Sequence, residues 1–128
     1  MRLLVDTHAL FWSVMKRIEL SHIARSALED ERNEVYVSVA SAWEIAIKVG
    51  LAKWPDARNL LLDFERNVDD AGFVLLPIGI PHVRAAGLMQ TPHRDPFDRL
   101  LAAQAIAEGL VLVTADAKVQ GLGAQWLW

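Results

Sequence analysis

The segment His93-Arg94-Asp95-Pro96-Phe97-Asp98-Arg99-Leu100-Leu101-Ala102-Ala103-Gln104-Ala105 declares a helix start from its residue types alone. Asp95 suits an N-cap, accepting backbone N–H bonds, and Pro96 suits the first helical position, where a missing donor costs nothing. A residue before proline is also kept out of the helical region, as a cap must be. Asp98 then stands at the third helical position, and Leu100 to Ala107 continues as an apolar helix of small residues. Two carboxylates thus project from one helix start. Capping and complementarity to the helix dipole would account for both, so their meaning depends on the acids elsewhere.

Downstream of this helix, Gly109 leads into Leu110-Val111-Leu112-Val113-Thr114, the strongest strand pattern in the chain, with Asp116 just beyond. At the other end of the sequence, Leu3-Leu4-Val5 is a continuous apolar run that stops at Asp6, the pattern of a parallel strand buried on both faces. Between them the spacing predicts helices over Thr7–Lys16, Ser21–Arg32, Ser41–Gly50, Ala57–Ala71 and Pro81–Met89. Strands are predicted at Val35–Ser38 and Phe73–Leu76, with a final short edge strand over Gln125–Leu127. Such alternation implies right-handed crossovers and helices on both faces of the sheet. The expected fold is a three-layer α/β/α sandwich with a mostly parallel sheet, one domain over residues 1–128.

Composition narrows the function. With 128 residues, 53% of them apolar and 23% charged, the chain is an ordinary globular protein. Its formal charge of −3 offers no broad footprint for nucleic acid, so a phosphate binder of this kind needs a local basic rim or bound metal. The absence of cysteine excludes disulfides and thiolate metal sites. The apolar run before Asp6 is too short for a signal peptide, and no segment is long enough for a membrane span. A cytoplasmic protein is expected.

The acids fall into register once the strands are assigned. Ligands of open parallel sheets collect beyond the carboxyl ends of the strands. Asp6 ends the first strand, Asp116 follows the strand that closes at Thr114, and Glu44 sits one turn into the helix after Val35–Ser38. Asp95 and Asp98 begin the helix that runs antiparallel into the following strand, which puts them at the same edge. Each has a local reading too: Asp6 as a cap for the helix at Thr7, Asp116 as a turn residue, and Ser41-Ala42-Trp43-Glu44 as a capping box with Lys48 as an exposed partner. Local readings do not explain convergence on one edge. Carboxylates so gathered titrate upward unless a cation neutralises them, and an all-oxygen donor set selects hard ions such as Mg²⁺ or Mn²⁺. Such a site suits hydrolysis of phosphodiesters.

Leu-Val-Asp6-Thr-His, Ser-Val-Ala-Ser-Ala-Trp-Glu44-Ile, His93-Arg-Asp-Pro-Phe-Asp98-Arg-Leu-Leu-Ala-Ala-Gln-Ala and Val-Thr114-Ala-Asp116 resemble the successive motifs of the PIN domain, and in particular the VapC toxins of bacterial toxin–antitoxin pairs. The resemblance runs from residue 2 to residue 116. It implies a metal-binding acidic quartet of Asp6, Glu44, Asp98 and Asp116, with Asp95 as a cap rather than a ligand. Thr7 and Thr114 would then buttress the acids or hold metal-bound water. It further implies an Mg²⁺- or Mn²⁺-dependent endoribonuclease toxin that cuts structured RNA such as tRNA or rRNA, arrests translation, and is restrained by a protein antitoxin. Arg94 and Arg99 are candidates for RNA phosphate contact, although Arg99 equally suits a pair with Asp95 at i+4. His8 and His93 flank the acids as neutral orienting or packing residues.

Rival classes fit less well. A phosphoacceptor receiver domain needs an acidic pair after its first strand and a lysine after its last, and a haloacid-dehalogenase phosphatase needs a second aspartate at position 8, where His8 stands. A non-catalytic PIN-fold protein or RNA interaction module would be expected to have lost a quartet acid. Apolar excess on the helices at Ala57–Ala71 and Pro81–Met89 suggests a homodimer. Phe11, Trp12 and Met15 on the first helix, with Trp43, Ile47 and Leu51 on the third, suggest an apolar groove between those helices for an antitoxin segment.

Overall fold

Leu3, Leu4 and Val5 are fully buried, and the fold is built outward from them. In the computed structural model, which describes residues 1–128, β1 (Arg2–Val5) is the central strand of five. It pairs on one side with β2 (Glu34–Ser38), followed by β3 (Val74–Leu76), and on the other with β4 (Val111–Val113), followed by β5 (Trp126–Leu127). All four pairings are parallel, so the sheet is wholly rather than mostly parallel. The order β3-β2-β1-β4-β5 reverses direction between β1 and β4. A reversal of this kind opens a crevice beyond the strand ends.

Alternation along the strands assigns the helices to faces. Leu3 and Val5 join Leu10 of α1 (Thr7–Val14), Leu28 of α2 (His22–Glu29), Ile45 of α3 (Val39–Gly50), Leu60 of α4 (Arg58–Leu62) and Phe64 of α5 (Phe64–Asp70). Leu4 and Leu112 instead meet Leu101 and Ala105 of α7 (Pro96–Glu108) and Val119 of α8 (Ala117–Gln120). A further helix, α6 (Ile80–Leu88), packs beside α7 through Ala86, Leu100 and Ala103. The three-layer α/β/α arrangement is therefore as expected. Leu4→Ala, which removes a side chain with no exposure at all, is expected to cost about 3 kcal/mol in urea unfolding.

Three local expectations are corrected. The third helix begins at Val39, capped by the Ser38 hydroxyl accepting from the Ala40 N–H at 3.0 Å, and not at Ser41. The Ser41–Glu44 capping box therefore does not form. The helix predicted over Ala57–Ala71 is broken into a 3₁₀ turn at Pro55–Ala57, then α4 and α5, with Asp63 outside helical geometry between them. The Asn67 side-chain amide donates to the carbonyls of Asn59 and Leu60, which the break sets free. Arg99 does not pair with Asp95. Its guanidinium donates instead to the carbonyls of Ala86, Gly87 and Met89, tying the end of α6 to α7. Gly109, at φ 67°, closes α7 in the left-handed region and turns the chain into β4.

Candidate active site at the carboxyl edge of the sheet

Four elements deliver carboxylates to the crevice between β1 and β4. The Asp6 N–H donates to the Val113 carbonyl at 3.1 Å, extending the sheet by one rung, and its Oδ1 accepts from the Ala9 N–H at 2.7 Å as the cap of α1. Cap and cavity roles thus coexist in one carboxylate. Asp116 repeats the device after β4: its Oδ1 accepts from the Lys118 N–H and its own N–H donates to Thr114 Oγ1. Asp95 caps α7 through Oδ1, which accepts from the N–H groups of Phe97 and Asp98. Asp98, in the first turn, makes no capping bond, and its Oδ2 stands 2.8 Å from His93 Nε2. Glu44, buried one and a half turns into α3, accepts from Lys48 Nζ at 3.0 Å.

These acids share one cavity of about 500 Å³, lined by Asp6, Thr7, Glu44, Asp95, Asp98 and Asp116 together with His8, Trp12 and Lys48. Its electrostatics follow from crowding. Burial pushes the Asp6 carboxyl up to about 6, with Glu44 and Asp116 adding to the effect against the Thr114 hydroxyl and the Ala9 amide. Asp98 is likewise pushed up to about 6, first by burial and then by Asp95 and Glu44, against its bond to His93. Burial lowers the His8 imidazole, which stacks on Trp54 with ring centroids 4.7 Å apart. Thr7 Oγ1 and Ser41 Oγ lie 2.9 Å apart in the interior and pin α1 to α3 behind the acids.

The model of the PIN domain family matches residues 3–123. The chain belongs to the PIN-domain family. Among solved structures, this PIN domain superposes on VapBC2 from Rickettsia felis, bound to a DNA fragment from its promoter, with TM-score 0.72 and 18% identity over 99% of this chain and 98% of that one. A toxin–antitoxin complex from Klebsiella pneumoniae matches at TM-score 0.64 and 20% identity, covering 98% of this chain and 96% of the other. FitAcB from Neisseria gonorrhoeae matches at TM-score 0.65 and 19% identity, over 100% and 97%. At such identities the likeness is one of fold. No curated protein matches the chain.

Of the residues singled out in the sequence, Asp6, Thr7, Glu44, Asp95, Asp98 and Asp116 line the acidic cavity of this PIN domain, and Thr114 lies buried beneath it. Arg94 and Arg99 line a different cavity. Of the residues read as an apolar groove, Phe11 is buried against Trp54 and Trp43 sits edge-on to Phe97 of α7 at 5.1 Å, while Met15, Ile47 and Leu51 stay exposed. The Glu44–Lys48 pair read at i+4 forms, but Lys48 lies half-buried in the acidic cavity, 5.6 Å from the Trp54 ring centroid. Sequence reasoning missed one contributor. Gln120 donates to the Thr114 carbonyl at 3.0 Å and fixes the strand end below Asp116. A capping pattern at Asp116 was the only available signal for α8 and hence for Gln120.

The donor chemistry fits a hard divalent ion. The acids are oxygen donors only, they crowd one cavity, and burial raises two of them, Asp6 and Asp98, to about 6. As placed, no three of them form a ready-made chelate. Glu44 and Asp98 are engaged with Lys48 and His93 instead.

Proposed function

We propose that this PIN domain, acting as one unit over its 128 residues, is an Mg²⁺- or Mn²⁺-dependent endoribonuclease toxin of the VapC type. One observation carries the reading: Asp6, Glu44, Asp98 and Asp116 arrive from four separate elements in a single cavity at the reversal of strand order. These four would hold the ion. When bound, a divalent cation neutralises the acids, activates the attacking water and shields charge on the phosphate. The chain's own part is positional. Asp95 anchors the start of α7 so that Asp98 faces the cavity, while Thr7, Ser41 and Thr114 hold the elements behind the acids. Water oxygen bonds to phosphorus as the bond to the 3′-oxygen breaks, leaving 5′-phosphate and 3′-hydroxyl ends.

Substrate approach has a basic side. Arg94, Lys118 and His93 border a cleft of about 400 Å³ beside the acids, suited to phosphates of structured RNA such as tRNA or rRNA. Translation arrest in the cytoplasm would follow from such cleavage. No helix is long and apolar enough to cross a membrane. The toxin–antitoxin complexes of similar fold support a protein antitoxin as partner, and exposed Met15, Ile47 and Leu51 remain candidates for apolar anchors. A homodimer is proposed over the exposed apolar residues Leu88 and Ile106 on α6 and α7. With Mg²⁺, the purified chain is expected to cut structured RNA at discrete sites with 5′-phosphate ends. RNA left intact with Mg²⁺ and Mn²⁺ alike would overturn the nuclease reading.

A further inference from the structure

Phe97 and Asp98 are consecutive on α7, yet they line different cavities: Asp98 the acidic one, Phe97 a second of about 360 Å³. Trp43 and Glu44 on α3 divide in the same way. The second cavity therefore lies one residue along each of two elements from the acids. Its aromatic pair is set edge-to-face, with an interplanar angle of 77°, and 61% of Trp43 is left uncovered. An indole this exposed, braced by a second ring, is a surface on which another flat ring stacks favourably.

Two guanidiniums border the same cavity, and no carboxylate neutralises either. Arg94 is exposed and forms no ion pair within the chain. Arg99 spends Nε and Nη2 on the carbonyls at the end of α6, leaving Nη1 without a partner in the protein. In a chain of net charge −3, a pair of uncompensated cations beside a stacking surface is selective. It suits a ligand that combines a flat ring, hydrogen-bond acceptors and negative charge. A nucleotide has all three, and Arg is the side chain that reads base acceptors and phosphate alike. An apolar face of a second copy would leave Arg94 and Arg99 Nη1 without a carboxylate or other acceptor, at a cost such a contact does not repay.

Resting on the nuclease reading above, we propose that this second cavity is a base pocket for the nucleotide beside the scissile phosphodiester. The base stacks on Trp43, Arg99 Nη1 faces its acceptor edge, and Arg94 meets the adjoining phosphate. The enzyme's base preference is then set here, outside the acidic site.

The test uses the full chain carrying Asp98→Asn, so that RNA stays intact, and labelled RNA oligonucleotides each built of a single base. Affinities by fluorescence anisotropy are expected to rank the four bases. Adding Trp43→Ala is expected to weaken the best ligand about 10-fold and to level the ranking, while Trp43→Phe keeps the order. Arg94→Ala is expected to weaken all four alike and to lower the salt dependence by about one ion. A ranking unchanged by Trp43→Ala would overturn the pocket, as would absence of binding to every oligonucleotide. So would light scattering in which Trp43→Ala splits a dimer without altering RNA affinity. Cleavage of random-sequence RNA by the unmutated chain separates the two claims. Cleavage without a Trp43-dependent ranking sinks only the pocket, and a Trp43-dependent ranking without cleavage sinks only the nuclease.

Discussion

Asp98→Asn is expected to abolish RNA cleavage, by about a thousandfold or more, while Asp95→Asn keeps activity within a few-fold of the unmutated chain. The two residues are three apart on one helix start and differ in what they touch. Asp95 spends Oδ1 on the N–H groups of Phe97 and Asp98, a role that asparagine fills about as well as aspartate. Asp98 has no cap to make. Its carboxylate faces the acidic cavity, bonded to His93 and raised by burial and by its acidic neighbours. Replacing it by asparagine keeps the volume and removes the charge, so the loss is one of cation affinity. Removal of one group that stabilises transition-state charge commonly costs two to three powers of ten, and loss of the ion itself costs more. Cleavage of a labelled RNA, with circular dichroism to verify the fold, is the measurement. Equal loss in both variants would assign Asp95 to the ion as well, and activity surviving EDTA would remove the metal from the mechanism.

Asp6→Asn is expected to stabilise the metal-free protein while destroying its response to Mg²⁺. Asp6 is pushed from 3.8 up to about 6, chiefly by burial. Between those two values the folded protein still holds a proton that the unfolded chain has released. Folding then takes up protons, so the Asp6 contribution makes stability fall as pH rises through this window and stay low above it. Asparagine has no charge to bury and still accepts the Ala9 N–H. The stability difference between variant and unmutated chain is expected to be small below about pH 4 and full above about pH 6. At neutral pH it should reach on the order of 3 kcal/mol, or roughly 10 °C in Tm. Mg²⁺ is expected to raise the Tm of the unmutated chain at neutral pH, because a ligand of the folded state alone stabilises it, and to leave the variant unmoved. Calorimetry in EDTA and in Mg²⁺ across this pH range gives both answers. A variant less stable than the unmutated chain at neutral pH in EDTA would contradict the burial argument.

Much of the architecture was legible because its causes are local. Central parallel strands are apolar on both faces, so Leu3 to Val5 and Val111 to Val113 announce themselves without a partner. Asp95-Pro96 starts α7 and Gly109 ends it by rules that reach only a few residues along the chain. The convergence of the acids was legible too, since alternating strands and helices leave one edge for strand ends and the starts of returning helices.

What failed were choices between equal local options. Ser38 and Ser41 can each cap a helix. Ser38 does so because β2 ends there, and Ser41 is drawn instead to Thr7, 34 residues earlier in the chain. With the helix begun at Val39, Glu44 lies inside it rather than in its first turn, and both Glu44 and Lys48 line the acidic cavity. The run Ala57–Ala71 keeps helical periodicity throughout, yet it breaks at Asp63, where the Asn67 amide takes over the freed carbonyls. Spacing along the chain likewise says nothing of Trp43 meeting Phe97, 54 residues apart, at a junction of α3 and α7.

By itself, then, the sequence determined the strands, most of the helices, the layering and the edge at which the carboxylates gather, for capping, periodicity and burial on both faces act within a few residues. Only the tertiary structure decided that His93 engages Asp98, which arginine is spent on the end of α6, and where two aromatic rings from distant elements leave a second cavity beside the acids. Those outcomes depend on the rotation of each helix about its axis against the sheet, and that rotation is set by packing summed over the whole interior rather than by any local run of residues.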